Sequence, residues 1–95
     1  MKENIVDSYR KHIRAYLTKN ANFYNLDKVS EDEFNHVVIV ASSVLMERDK
    51  IMVGGSFAQA IVENDLRGAI GRADATCVKH LKTFVLVNHN LERPL

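Results

Sequence analysis

The sequence predicts an all-α fold, a single small domain of about four helices spanning residues 1–95. Three observations carry that reading. Apolar residues return at helical spacing along most of the chain, as Ile5, Tyr9, Ile13 and Leu17 do first. Ser and Asp stand just ahead of the periodic stretches at Ser30, Ser56 and Asp74, where a helix needs an oxygen to take its unpaired amides. Ninety-five residues build one core and no more. Minor β character is the competing expectation at 37–40 and 84–87, where β-branched and aromatic residues run together.

In chain order, residues 2–18 form an amphipathic helix with Tyr16 and Leu17 completing its apolar stripe. Arg10, Lys11 and Arg14 make a small basic patch on it, either an anchor for phosphate or an acidic partner, or an ordinary solvated face. Residues 19–29 lack a period and form a loop. Its Phe23, Tyr24 and Leu26 either fold back onto the core or present a contact surface for a partner protein.

Residues 30–49 open with the clearest local signal. Ser30 and Glu33 fit a capping box, Val29 and Phe34 a hydrophobic staple, and Glu31 and Asp32 place negative charge at the positive helix end. The helix that follows is apolar nearly all round, from Val37 to Met46, which places it centrally. Asp74 caps a last helix over about 75–91. Cys77, Val78, Leu81, Phe84, Val85 and Leu91 form its inner face, and Pro94 marks its end.

The stretch from Gly54 to Asp74, GGSFAQAIVENDLRGAIGRAD, is the one around which the other elements are expected to pack. Gly54 and Gly55 allow a sharp turn into a third, short and central helix that Ser56 and Gln59 cap as a second box. Gly68 and Gly71 weaken that helix by about 1 kcal/mol each relative to alanine. They either admit a second backbone, within the chain or from another subunit, or mark a frayed end. Glu63 and Arg67 are spaced for an ion pair. Asn64, Asp65 and Arg72 form a buried polar network, or else, with Arg67, Gly68 and Asp74, a surface presented to a protein partner. A small-ligand pocket using Arg72 is the third possibility. Gly68, Ala69 and Ala73 are small enough to let a second copy approach, so a homo-oligomer is expected.

The Gly54-Gly55, Asn64-Asp65-Leu66 and Gly71-Arg72-Ala73-Asp74 elements resemble a GGSF…NDL…GRAD pattern of small phage and prophage proteins. The resemblance covers about a fifth of the chain, with a weaker similarity through the helix after it. It implies an accessory protein without an assigned reaction.

Composition and charge exclude several classes. Thirteen basic against twelve acidic residues leave a net charge of +1. A DNA mimic would be strongly acidic, and broad nucleic-acid binding needs a large basic excess. The apolar fraction of 46% and charged fraction of 26% are those of an ordinary globular chain. One cysteine, Cys77, excludes an internal disulfide and a cysteine-based zinc site, and fits a reducing cytoplasm. No apolar run reaches the ~18 residues a membrane span needs.

His12, His36, His80 and His89 show no pair at metal-ligand spacing, so a metal site would have to be assembled from distant segments. Cys77 lies on an apolar stripe, where a thiol is packed and inert. No P-loop, dinucleotide pattern or nucleophile elbow is present. Paired carboxylates for acid–base work would have to be Glu63 and Asp65, which point to different sides of a helix. No enzymatic activity, cofactor or metal is therefore expected. The leading expectation is a cytoplasmic phage-type protein that binds, and modulates or inhibits, a host factor. The alternatives are a nucleic-acid or nucleotide-binding module using Arg10, Lys11 and Arg14, and a self-assembling structural protein.

Overall fold

A computed structural model describes residues 4–91. Among these residues there are six helices and no strand: α1 (Ile5–Lys19), α2 (Glu31–Arg48), α3 (Ser56–Val62), α4 (Leu66–Arg72), α5 (Ala75–Lys79) and α6 (Leu81–Asn90). The fold is all-α. The helix count differs from four because the third expected helix divides at Asn64 and the last at His80. The β-prone runs 37–40 and 84–87 are both helical. The expected helix start at residue 2 and the stop at Pro94 lie outside the described residues.

The centre of the molecule is α2. Val37, Val38, Ala41, Val44 and Leu45 are buried, Ser42 and Met46 extend the buried face to about half of the helix, Ile39 stays 42% exposed on the other side, and α1, α3, α5 and α6 all pack against it. β-Branched residues lose some side-chain freedom in a helix. Burial of each such side chain returns about 1.5–3 kcal/mol, which exceeds that loss and decides for helix here. Ser42 is buried among them, and its hydroxyl donates to the Val38 carbonyl at 2.7 Å, so that hydroxyl is not stranded. The expectation that residues 54–74 form the centre is corrected by this arrangement. Within that stretch α3 buries Phe57, Ala58, Ala60 and Ile61, whereas α4 buries only Ala69 and lies at the edge.

Polar contacts fasten both ends of α2. At its start, the Ser30 hydroxyl oxygen accepts the Glu33 amide at 3.1 Å. The Glu33 side chain does not complete the box. Its Oε2 instead takes His80 Nε2 at 2.6 Å and Lys79 Nζ at 2.9 Å, tying α2 to the α5–α6 junction. His80 is only 4% exposed. Its hydrogen bond is the main reason the Glu33 carboxyl is held below its usual range. At the other end, Tyr9 donates to Asp49 Oδ2 at 2.8 Å, and Arg48 Nε reaches Asp49 Oδ1 at 2.9 Å. Arg48 Nη1 also donates to the carbonyls of Asn88 and Leu91, at 2.9 and 2.6 Å. Helix C-termini leave such carbonyls without intrahelical partners, and Arg48 supplies one for α6 from another element.

The turn into α3 differs from the expected capping box. Gly55 is the N-cap and offers no side chain, while Ser56 is already the first helical residue. Gln59 Nε2 donates to the Gly54 carbonyl at 3.0 Å, and the Gly54 amide donates to Glu47 Oε1 at 2.8 Å. A Cβ on Gly54 would stand 2.9 Å from that of Ala58 and 3.3 Å from the Ser43 carbonyl. Gly54 is therefore the point where α2 and the start of α3 come too close for any side chain.

These assignments separate two serines that look equivalent in the sequence. Ser30→Ala should cost about 1 kcal/mol in urea unfolding, as loss of an N-cap does. Ser56→Ala should stay within about 0.5 kcal/mol of the parent, as a surface change does. Equal losses at both would contradict the assigned helix starts.

Candidate protein-binding groove

The elbow between α3 and α4 is built by two adjacent residues with opposite tasks. Asn64 takes a left-handed backbone, φ 60°, and the Asp65 amide then reaches back to the Ala60 carbonyl at 2.8 Å. This is the hydrogen bond of a Schellman ending, and asparagine tolerates the conformation better than most residues. Asp65 then starts α4, its Oδ1 accepting the Gly68 amide at 2.9 Å. One residue closes a helix and the next opens another.

The elbow and α6 enclose a groove of about 610 Å³. Ala60, Ile61 and Ala69 form its floor, and Leu66, Val85 and Leu86 its apolar walls. Leu66 is 61% exposed and Val85 41%. Asn64, Asp65 and His89 give it a polar rim. Asn88 also lines it, and its side-chain oxygen is buried with no hydrogen-bond partner among the described residues. A buried acceptor left unpaired costs about 1–3 kcal/mol.

Of the residues singled out in the sequence, Asn64 and Asp65 line this groove. Both are exposed, as is Arg72, so the three do not form a buried network. Arg67 is exposed on α4, and Glu63, across the elbow on the C-cap of α3, makes no ion pair with it among the described residues. Gly68 serves its own helix. A Cβ there would run into the Asp65 carboxylate and lie 2.9 Å from Arg72 Nη1. Its small size protects the cap, and Ala69 is buried beneath the groove, so neither forms a face open to a second helix. Arg72 borders a second, smaller cavity, and Asp74 is the N-cap of α5, accepting the Cys77 amide at 2.7 Å.

The loop aromatics divide. Tyr24 is core, 4% exposed, with its hydroxyl 2.7 Å from that of Tyr16. Burial pushes that phenol well above its usual pKa. It is not available to a partner. Phe23 is 60% exposed, stands edge-on to Tyr24, and has Lys82 Nζ 5.2 Å from its ring centre. Arg10 and Lys11 are exposed on α1, but Arg14 is engaged within the chain, donating to Asn35 Oδ1 and lying 5.6 Å from the centre of the Phe34 ring. Cys77 is buried, and burial first, then the Asp74 carboxylate, push its thiol up to about 11. Such a thiol is a poor nucleophile at neutral pH.

Leu66, Val85, Leu86, Asn88 and His89 join the site without having been singled out. Leu66 and Val85 read as inward-facing residues of continuous helices, and only the elbow turns Leu66 outward. Asn88 had a signal, the first polar residue after the apolar run Phe84–Val87. Comparison of the chain with protein-family models, curated proteins and solved structures finds no match.

The elbow can be tested by stability. Asn64→Gly should unfold at the same or slightly higher urea concentration, because glycine adopts the left-handed backbone freely. Asn64→Val should lose about 1–2 kcal/mol, since a β-branched residue is strained there. Equal behaviour of the two variants would mean that α3 and α4 run on as one helix.

Proposed function

We propose that the protein is a non-catalytic accessory protein, of the phage type its GGSF…NDL…GRAD stretch resembles, that binds another protein through the groove between the α3–α4 elbow and α6. The observation that carries this reading is an apolar groove whose walls, Leu66 and Val85, stand open to water. Exposed apolar surface grouped around a concavity and rimmed by polar residues is what protein-binding sites offer. The occupant that fits is an apolar segment, such as one face of an amphipathic helix. Asn64, Asp65 and His89 would supply the polar rim, and the host cytoplasm is the proposed setting. Among the described residues no helix is long and apolar enough to cross a membrane.

Affinity capture from host lysate tests the reading when it is paired with two variants. Leu66→Glu places a charge in the groove wall without touching the core, and should abolish capture of the partner. Lys11→Glu, on the far helix, should leave capture unchanged. Capture that instead falls steeply with salt and is lost in Lys11→Glu would support the nucleic-acid alternative through Arg10, Lys11 and Arg14. A parent whose solution mass is a multiple of the chain mass, reduced to one chain by Leu66→Glu, would make the occupant a second copy of the protein.

A further inference from the structure

A second cluster lies away from the groove, where the start of α5 meets α2. His36 is in the second turn of α2, Asp74 is the N-cap of α5, and Cys77 is in the first turn of α5. Thirty-eight residues separate His36 from Asp74. One ligand atom from each of the three lies within 4.8 Å of the other two. The carboxylate of Asp74 is divided in its tasks. Oδ1 accepts the Cys77 amide at 2.7 Å, which fixes the group in place, and Oδ2 stands 3.3 Å from His36 Nε2.

That last separation is a long hydrogen bond between the two side chains, and it also matches the spacing of two ligands on one ion. Two ligands at the usual Zn–N and Zn–O distances, about 2.0–2.2 Å, and at a tetrahedral angle lie about 3.3–3.4 Å apart. Nitrogen, oxygen and sulfur are also the donor set that a borderline-soft divalent ion takes. We infer that His36 Nε2, Asp74 Oδ2 and Cys77 Sγ form a three-ligand site for a divalent transition metal of the zinc class. Tetrahedral geometry asks for sulfur at roughly 3.5 Å from the other two ligand atoms, so binding requires Cys77 Sγ to close in from within the observed 4.8 Å while His36 and Asp74 stay as they are. Asp74 and Cys77 also line the second cavity, of about 230 Å³, which has room for a water as the fourth ligand. Arg72 borders the same cavity.

The binding step is an exchange without change of oxidation state. The Sγ–H bond of Cys77 breaks, the proton leaves to solvent, and the Sγ–metal bond forms, as happens when an ion draws a thiol into its coordination sphere. The thiolate and the Asp74 carboxylate together neutralise a divalent ion. Cap and ligand roles of Asp74 coexist because they use different oxygens.

The test uses Co²⁺ as a spectroscopic probe, titrated into the reduced full-length protein. The expected result is a sulfur-to-cobalt charge-transfer band with the visible bands of a four-coordinate ion, saturating at one ion per chain and reversed by Zn²⁺. Cys77→Ser should abolish the charge-transfer band. His36→Gln, on a half-exposed side chain, and Asp74→Asn, which keeps the helix cap, should each weaken binding roughly tenfold or more with unchanged helical circular dichroism. A parent that shows no charge-transfer band overturns the inference. So does a band that persists at full strength in both His36→Gln and Asp74→Asn, which would assign the ion to the thiol alone.

Discussion

Everything in this fold follows from the wide apolar face of α2, on which Val37, Val38, Ala41, Val44, Leu45 and Met46 are all buried. A narrow apolar stripe needs one neighbour, whereas a face this wide needs several, and a chain this short has few to give. Tyr9, Ile13 and Leu17 of α1 join the core from one element, and Phe57, Ala60, Phe84 and Val87 from α3 and α6. Phe57 and Phe84 meet edge to face at 5.5 Å, closing the shell between those two helices. With α1, α3, α5 and α6 committed to this face, α4 has only α3 as a substantial neighbour. Leu66 and Ile70 are left at the surface for that reason, and the groove beside them is a by-product of enclosing α2.

The apolar face fixes which helices touch, and polar contacts fix where they stop along one another. Glu33 joins His80 and Lys79 at one end of α2. At the other end Arg48 and Asp49 join Tyr9 and the last carbonyls of α6. Hydrophobic burial is insensitive to a slide along the helix axis, whereas hydrogen bonds at 2.6–2.9 Å to a buried histidine and to two carbonyls are not. Gly54 adds a steric stop between them, since its missing Cβ lets the turn pass between Ala58 of α3 and the Ser43 carbonyl of α2.

What the sequence reveals and what it hides can be argued from these same residues. Ser30 ahead of a long apolar run is a local signal, and α2 begins where it says. Asn64-Asp65 is just as local, a helix stop followed by a helix start, but unbroken apolar periodicity on both sides masks it. Gln59 looks like half of a capping box and serves Gly54 instead, because the turn through Gly55 has already shifted the helix start. His80 interrupts the last helix for a reason outside its neighbourhood, its bond to Glu33 forty-seven residues earlier. The approach of His36 to Asp74 and Cys77 is equally non-local, and no spacing rule within one helix would find it. Phe23 and Tyr24 show the limit at its smallest, two adjacent aromatics of which the core takes one.

The account makes α2 the last element to open and α4 the first among the packed helices. Native-state amide hydrogen exchange measures this residue by residue. Amides from Val38 to Met46 should exchange only through global unfolding, with a denaturant dependence equal to that of the whole molecule. Amides of α4 should exchange faster, through local opening with little denaturant dependence. Protection in α4 equal to that in α2, or exchange of α2 before α1 and α6, would contradict the view that enclosure of α2 organises the fold.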